Sequence, residues 1–494
     1  MRRFGLLGAV LLVLAVVYAV AWHTQSRAPQ AAVQPTPQMA AVTSVTRSCP
    51  PPAPNSGAAH IAMIALPSPP AATAAAKAGF VGNGSATLSA VPATSGGAAP
   101  QPVTVSMVNT LTTVAAPTAA GKSAQTSSGT AVAATGQMAE GFEAEQADAS
   151  GMGLVSCTHP GSDMWFVGNG AGTGASSITL YLMNTGDLAA SANVSLYTDA
   201  GLQTGLSTGI TVAPHQLVTQ RIAPFVEGSA ALALHVMTSS GQVAASVWES
   251  GSSGGAWLPQ AAAPATSLVI PGLTVARSSA RLFVTVPGAT DAKLKVVAFT
   301  AQGKFTQFGA TPVDAPSAAT SSFALNALGA SAAGLQLTSN VPIIAAVLVP
   351  GQGMGSFTTA VPPITEQGVV AGNPATRGLT VGLVLTAPAG AAKATVSVVG
   401  AAGSGPGGQG GQQVVTVQAG HTAAVTVPRP QNSRDPFAIV ITPAAGSGPL
   451  YAARVVTSGT GGLSAPVTSV LPVPTALTVI SLPPVQNAYT AVLP

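Results

Sequence analysis

Charged and aromatic residues are scarce in this sequence of 494 residues. Only 6% of the residues are charged, against about 25% in an average soluble protein, and only 4% are aromatic. Catalytic sites are usually built from clustered titratable groups, and 13 acidic residues and six histidines leave few places for such a cluster. The composition therefore argues against an enzyme, and we expect no catalytic residue, no metal site and no cofactor.

A basic surface for nucleic acid is also missing. Arg2, Arg3 and Arg27 flank the first hydrophobic segment, and without them 14 basic residues (17 − 3) nearly balance the 13 acidic ones. Proteins that bind phosphate backbones concentrate positive charge on one face. We therefore exclude nucleic acid as a partner.

One apolar run, at residues 4–22, is long enough to cross a membrane. It holds 19 residues without a charge, which as a helix would extend about 28 Å, close to the hydrocarbon thickness of a bilayer. Arg2 and Arg3 precede the run and predict a cytoplasmic amino terminus, with everything after residue 23 exported. We predict a single-pass protein of the cell membrane with an extracytoplasmic body. A cleaved signal peptide, which would release a secreted protein, is the alternative.

Cysteine is almost absent, and both cysteines follow the apolar run. Cys49 and Cys157 are an even number in an oxidising compartment, which predicts one disulfide. Closing a loop of this length contributes about 4–5 kcal/mol in the chain-entropy model. Two unpaired buried thiols are the alternative.

Long helices are disfavoured by 55 glycines and 41 prolines, and a strand-rich unit of about 100 residues recurs instead. One strand-and-turn element ends at Gly201, Gly303 and Gly403. A strand pair follows each, at residues 231–248, 333–349 and 437–456. An opening strand recurs at Trp165, Leu268, Val369 and Val479.

These patterns predict an all-β protein of tandem immunoglobulin-like β-sandwich repeats after an N-terminal transmembrane helix. The alternative is a β-propeller or another closed β array, because one opening strand is left over at the carboxyl end. We divide the chain into a signal-anchor (1–23), a flexible stalk (24–48), a degenerate first repeat with a low-complexity insert (49–160), two repeats (161–264 and 265–365), and a repeat with C-terminal strands (366–494).

A family resemblance rests on the order of several segments. Cys49-Pro50-Pro51 is followed by Cys157, by DMWFVG from Asp163, by LYLMNTG at residues 180–186 and by VPGATDAKLKV at residues 286–296. With the Arg-flanked anchor, these resemble an actinobacterial family of exported, single-pass proteins of unknown function. The resemblance implies an envelope location, a β-rich ectodomain and an accessory role in envelope glycan assembly, and it implies no catalytic residues. The third repeat departs from the pattern through GSGPGGQGGQQ at residues 403–413.

Three short motifs resemble enzyme signatures but lack the required context. Residues 205–209 match the G-x-S-x-G elbow around Ser207, but β-branched residues and Pro214 follow where a helix is needed. The glycine-rich runs at residues 168–174 and 405–411 are not followed by a helix that would hold a phosphate. We interpret all three as turns or loops.

The remaining polar candidates are an acidic segment and the tryptophans. Glu140, Glu143, Glu145 and Asp148 predict either a solvated helical turn or loop, or a cation or basic-partner contact. The histidines lack metal-binding spacing, and His159, near Cys157 and Asp163, is where several polar types converge. Trp165, Trp248 and Trp257 are possible ligand contacts if exposed, and core residues if not.

The leading hypothesis is a non-enzymatic, membrane-anchored protein of the cell envelope with a scaffold, adhesion or interaction role. Its partners would be the membrane, through residues 4–22, and an envelope glycan or another envelope protein. A carbohydrate-binding or glycan-assembly accessory module is the alternative, and a hydrolase that uses Ser207 or the 140–148 acids is the third reading.

Overall fold

The computed structural model describes residues 12–20, 22–23, 38–54, 56–66, 84–93, 102–116, 128–172, 175–203, 209–252, 254–274, 280–308, 312–325, 332–351, 354–401, 410–430, 435–458 and 467–482. The chain divides into two compact units, one of Met1–Ala40 with Ile480–Pro494 and one of Ala41–Val479.

The first unit contains the amino-terminal apolar segment. Residues 12–20 and 22–23 are helical, whereas residues 4–11 and 21 of the predicted span lie outside the described part. None of the helices in that part has the length and apolar character needed to cross a membrane. Strand β1 (Gln38–Ala41) pairs with β36 (Val479–Leu482), the last strand in the described part of the chain.

The second unit consists of four β repeats in chain order. The first repeat contains β2 (Ser44–Cys49), β3 (Ala59–Ile64), β4 (Ala86–Val91), β5 (Val103–Val105), β6 (Thr112–Ala115), β7 (Gly129–Thr135), β8 (Glu143–Asp148) and β9 (Leu154–Ser156), with a 3-10 helix at Gly136–Ala139. The second contains β10 (Asp163–Asn169), β11 (Ser177–Asn184), β12 (Ala190–Thr198), β13 (Gly201–Gln203), β14 (Ile210–Val212), β15 (Gln216–Arg221), β16 (Ala231–Ser240), β17 (Ala244–Gly251) and β18 (Gly254–Leu258), with a 3-10 helix at Ala223–Phe225.

The third and fourth repeats are built similarly. The third contains β19 (Ala265–Leu273), β20 (Ala280–Val286), β21 (Ala292–Thr300), β22 (Gly303–Thr306), β23 (Val313–Ala315), β24 (Ala319–Leu325), β25 (Ala333–Val349) and β26 (Ser356–Thr359). The fourth contains β27 (Gln367–Asn373), β28 (Leu379–Ala387), β29 (Ala392–Val399), β30 (Gln412–Val417), β31 (His421–Thr426), β32 (Phe437–Pro443), β33 (Tyr451–Ser458) and β34 (Val467–Pro472), and β35 (Thr475–Ala476) adds to its edge.

All four repeats share one strand order. Counting positions within a repeat, sheet 1 has the order first-sixth-third-fourth, as in β2-β7-β4-β5, and sheet 2 has the order fifth-second-seventh-eighth, as in β6-β3-β8-β9. In the second and third repeats two strands, β13 with β14 and β22 with β23, share the fourth position, because both pair with the third strand. In the third repeat the long strand β25 fills two positions: it pairs with β19 and β21 before residue 340 and mainly with β20 and β26 after it. Each repeat is therefore a sandwich of two antiparallel sheets.

The prediction of an all-β fold is confirmed, but the strand order is not that of an immunoglobulin domain. An immunoglobulin sheet joins its first, second, fifth and fourth strands, whereas here the second and fifth strands lie in the opposite sheet from the first and fourth. The alternation of polar and apolar residues fixes which side of a strand is buried, but it does not fix which strands become neighbours.

The sandwiches pack against one another in a cycle. Sheet 1 of each repeat lies face to face with sheet 2 of the next, and we call each such contact a seam. The second–third seam includes Phe283 and Phe357, and the third–fourth seam includes Ala453 and Val470. Tyr181 and Trp248 belong to the first–second seam. At the fourth–first seam, sheet 1 of the fourth repeat packs on β3 and β8 of the first. The contacts thus return to the repeat where they began.

The first repeat begins before the predicted boundary. Strand β2 starts at Ser44, inside the range 24–48 that the composition predicts as a flexible stalk. Its side chains Val45 and Cys49 pack into the apolar core of the first repeat. Burial of these two side chains holds the segment in the sheet although its composition resembles a linker.

Candidate functional site

The two cysteines form the predicted disulfide. Cys49 ends β2, and Cys157 follows β9 at a sequence separation of 108. Both side chains are buried, and the backbones of Ser48 and Thr158 pair beside the bridge. The Thr158 hydroxyl donates to the carbonyl of Ala245 in the second repeat. The disulfide therefore fixes the chain at the point where the first repeat leads into the second.

The acidic segment is a strand, and the interpretation as a helical turn is wrong. Residues Glu143–Asp148 form β8, the seventh strand of the first repeat. Because side chains alternate along a strand, Glu143 and Glu145 lie on the same face, where both are buried. Asp148 instead accepts hydrogen bonds from the Ser150 hydroxyl and the Met152 amide in the following turn.

Glu145 forms an ion pair at the fourth–first seam. Its Oε1 lies 2.6 Å from Nη2 of Arg454, a residue of β33, and neither side chain is more than 3% exposed. The backbone amide of Gly372 donates to Oε2 of Glu145 at 2.7 Å, and the carbonyl of Gly372 accepts from Nη1 of Arg454 at 3.3 Å. The register of β27 shifts between Val370 and Asn373, which frees the Gly372 amide from the sheet ladder. One backbone bulge thus contacts both charges.

Glu143 is paired within its own repeat. Nη2 of Arg47 donates to Oε1 of Glu143 at 2.5 Å and to the carbonyl of Phe142 at 3.2 Å. Burial nevertheless raises the pKa of Glu143 to about 7, because desolvation outweighs the attraction of Arg47. Burial and the nearby charge of Arg47 both lower the pKa of His159, so its imidazole is neutral near pH 7.

Glu249 is a second buried carboxyl, inside the second sandwich. Its side chain is fully buried, and Nδ2 of Asn169 donates to Oε2 at 3.2 Å. Oε1 has no hydrogen-bond partner, and a Cβ added to Gly168 would collide with it. Burial raises the pKa of Glu249 to about 8, so the carboxyl is mostly protonated at pH 7.

Trp165 lies in a small polar cluster at the edge of the second repeat. Its ring stacks on that of His235, with centroids 3.8 Å apart and planes 7° apart. Nε2 of His235 lies 2.9 Å from Oδ1 of Asp163, and the Asp163 side chain is 59% exposed. The three residues meet because β10 and β16 pair in a register that places Trp165 opposite His235. The indole is only 4% exposed, and the accessible part of the cluster is the Asp163–His235 pair.

Trp248 and Trp257 face each other in the first–second seam. Their rings make an edge contact with centroids 4.9 Å apart, and Tyr181 lies 5.9 Å from Trp257. Both indoles are less than a tenth exposed. In this position the two rings fill the space between sandwiches, and a ligand contact by any of the three tryptophans stays a prediction.

The other motifs give no assembled site in the described residues. Ser207 lies outside them, as do residues 173–174 and 402–409 of the glycine-rich runs. His215 pairs with Asp187 at 3.0 Å on the surface. No set of three or more His, Cys, Asp or Glu side chains that could hold a metal occurs in the described ranges.

The buried charges are the candidate residues that sequence reasoning missed. Arg454 and Glu249 are each the single charged residue of an apolar strand, and Arg47 is the single charged residue of the polar strand β2. A buried charge is unusual unless it is paired or neutralised. That isolation was a usable signal. The partners were not predictable, because Glu145 and Arg454 are more than 300 positions apart in the sequence.

Fold and seams together define an all-β protein of tandem two-sheet repeats. Residues 108–428, more than half of the chain, match the model of a family of unknown function (DUF5719), and the chain belongs to that family. This confirms the expected resemblance to a family of unknown function, whereas actinobacterial origin and export stay predictions. No curated protein and no solved structure gives a significant match to the chain.

Proposed function

We propose that this chain is a non-enzymatic interaction or scaffold protein of the cell envelope, in which four sandwiches form one closed β array. The observation that supports the closed array is the buried Glu145–Arg454 ion pair, because it joins the fourth repeat to the first. Since the sheet faces are occupied by neighbouring repeats, partners are met by loops and by the edge strands. Two exposed apolar side chains there, Leu188 and Val414, are 81% and 61% exposed.

The envelope location is supported by the disulfide and by the Arg-flanked apolar run. Structural disulfides persist in oxidising compartments and are rare in the cytosol, and Cys49 is bonded to Cys157. Cell fractionation with protease treatment of intact cells tests the location. If residues 4–22 anchor the chain, we expect added protease to cleave residues after 49 on intact cells. If the chain is released, we expect it in the medium, where the protease also cleaves it. Recovery of the full chain in the cytosol would refute this proposal.

The interaction role is tested by photo-crosslinking in the cell. A photoreactive residue at Leu188 or at Val414 should give specific adducts with an envelope component, because these exposed positions, in a loop and in an edge strand, are not covered by a neighbouring repeat. The same residue at Ala345, which is buried, is the matched control and should give none. Absence of adducts from both exposed positions would count against an interaction role at these edges.

Carbohydrate binding is the second candidate, favoured by the Asp163–His235 pair beside Trp165. An acidic and an imidazole group next to an aromatic ring is a combination that suits sugar hydroxyls. Asp163→Ala and His235→Ala should remove binding to envelope glycans without unfolding, because the Asp163 side chain is 59% exposed and the His235 side chain, 16% exposed, borders the surface. Trp248→Phe, in the seam, is the control that should leave binding unchanged. Binding that survives both surface variants would exclude this cluster.

A hydrolase would require Ser207 or the acids at residues 140–148. We propose that neither acts in catalysis, since Glu143 and Glu145 are held by arginines. The test is growth and envelope composition of a strain carrying Ser207→Ala, which we expect to be unchanged. If the strain with a folded Ser207→Ala protein instead showed the same defects as a strain that lacks the protein, the non-enzymatic assignment would be wrong.

A further inference from the structure

Sheet 2 of the first repeat has to pack on sheet 1 of the fourth repeat and not on the similar sheet 1 of another repeat. Each of the four repeats has the same strand order and packs sheet 1 on sheet 2 of the next. Sheet 2 of the first repeat therefore meets, during folding or in a second molecule, several sheet 1 faces of similar construction. A head-to-tail contact that does not close generates open polymers. Closure after four repeats requires something that distinguishes the fourth repeat from the second and third.

At three of the four seams, the order of the repeats in the sequence determines which two repeats pack together. The first–second, second–third and third–fourth seams join repeats that follow directly in sequence, so a short linker holds the correct partners together. The fourth–first seam joins the two ends of the series. Its partners are separated by the whole intervening chain, and selection there depends on the contacts themselves.

The third–fourth and fourth–first seams differ at one equivalent point. In β19 and in β27 the register shifts at the same place, after Ile270 and after Val370, and a glycine follows in each bulge. Gly272 of the third repeat faces the methyl group of Ala453. Gly372 of the fourth repeat faces the carboxylate of Glu145, to which its amide donates.

Only the fourth repeat supplies the countercharge for that carboxylate. Arg454 is the one arginine among the buried residues of the described part, and it reaches Glu145 from inside the fourth sandwich. The corresponding bulge of the third repeat is apolar. In the second repeat β10 pairs with β16 without a register shift, and Gly168 faces the carboxyl of Glu249 in its own sandwich. A carboxylate buried without a partner is strongly unfavourable, whereas a buried pair contributes more to selectivity than to net stability.

We propose that the Glu145–Arg454 pair determines which repeat closes the cycle, by making the fourth repeat the single acceptable partner for sheet 2 of the first. Packing of that sheet on the second or third repeat would bury Glu145 without a countercharge, because among the described residues no buried arginine stands behind Gly168 or Gly272. The pair thus acts as a specificity device for assembly, independent of whichever partner the exposed surface binds.

The test is refolding of the full chain from denaturant over a range of concentrations, followed by size-exclusion chromatography with light scattering. The double variant Glu145→Ala/Arg454→Met replaces both charges with apolar groups and should stay folded, since such replacements are often tolerated. We expect wild type to refold to one species at every concentration. The double variant should give additional, larger species whose share rises with concentration. Identical elution of the two proteins would overturn the proposal.

Two further variants separate charge from packing. Arg454→Lys keeps the positive charge and should refold to one species, as wild type does. Mixed species from this variant would refute selection by charge. Lys293→Ala/Asp314→Ala removes an exposed ion pair, with side chains 67% and 72% exposed, and should refold as wild type does.

Hydrogen exchange gives a readout that does not depend on refolding. In native Arg454→Met, exchange at the Gly372 amide should rise by about 100-fold relative to wild type, because an unpaired buried carboxylate favours an open seam. Amides of β12, far from this seam, serve as the internal reference. Unchanged exchange at Gly372 would overturn the assignment.

Discussion

Replacement of Glu249 by glutamine is expected to change how the stability of the second repeat depends on pH. Glu249 is fully buried, and no charged group contributes to its pKa of about 8. Its one hydrogen-bond partner is Asn169, and Oε1 faces Gly168 without a partner. Glutamine has nearly the same shape and keeps an oxygen for Asn169, but it cannot ionise.

The size and sign of the effect follow from the difference between the folded and unfolded pKa. The folded state holds the proton up to about pH 8, whereas the unfolded chain releases it near 4.5. Between these values the folded state binds more protons, so the free energy of unfolding falls as pH rises, by at most about 1.4 kcal/mol per pH unit. The whole shift corresponds to roughly 5 kcal/mol, which is present below pH 4.5 and lost once pH exceeds 8.

Tryptophan fluorescence is a suitable probe because three of the four tryptophans, Trp165, Trp248 and Trp257, belong to the second repeat. Urea unfolding followed by fluorescence between pH 5 and pH 9 should give wild type a free energy of unfolding that decreases with pH. Glu249→Gln should have a shallower slope and exceed wild type by several kcal/mol near pH 9. The difference between the two proteins cancels the titration of Glu143 and His159. Parallel curves for the two proteins would show that Glu249 is ionised in the folded state and refute the reasoning.

Two other perturbations have defined outcomes. Cys49→Ala/Cys157→Ala should lower the free energy of unfolding by about 4–5 kcal/mol, because the disulfide closes a loop of 108 residues in the unfolded chain, and a loss below about 1 kcal/mol in urea titration would contradict that estimate. Gly272→Ala should cost about 2–4 kcal/mol by the same titration, since Gly272 has φ +90° and its new methyl would collide with Ala453. Gly378→Ala, where φ is +88° and a methyl meets nothing within 4 Å, is the matched control for backbone strain, and equal losses in both variants would show that the seam contact is unimportant.

The local elements were predictable because they depend on neighbouring residues. In the recurring segments that end at Gly201, Gly303 and Gly403, the predicted strand is the third strand of its repeat in each case, namely β12, β21 and β29. The strand pairs at 231–248, 333–349 and 437–456 occupy the sixth and seventh positions. The disulfide followed from counting two cysteines. These predictions needed only the alternation of polar and apolar residues, the residues typical of turns, or the even number of cysteines.

The strand order and the buried charges were not predictable from the same signals. Both strands of the sixth–seventh pair are apolar, and nothing in their alternation shows that they belong to different sheets. Glu143 and Glu145 stand in an acidic segment that resembles a solvated turn, and their burial depends on Arg47 and Arg454 from distant strands. Such pairs are fixed by tertiary register, for which a single sequence carries no local pattern.

The composition itself follows from the packing. A sandwich sheet in most proteins has one face on a core and one in water, which places polar residues at every second position. Here the sheets are covered on both faces, by the partner sheet of the same repeat and by the next repeat across the seam. Strands such as β10 and β19 are consequently buried over nearly consecutive residues.

Close stacking of sheets about 10 Å apart also limits side-chain size. Alanine, valine and glycine fit between stacked sheets where aromatic rings would hold them apart, and Gly272 against Ala453 is an instance. The 6% of charged residues is therefore what a protein of doubly covered sheets requires, with charge confined to edges, loops and the few positions where it selects a partner. On this reasoning, a charged pair at a seam is retained for its selectivity, because an apolar pair would pack as well.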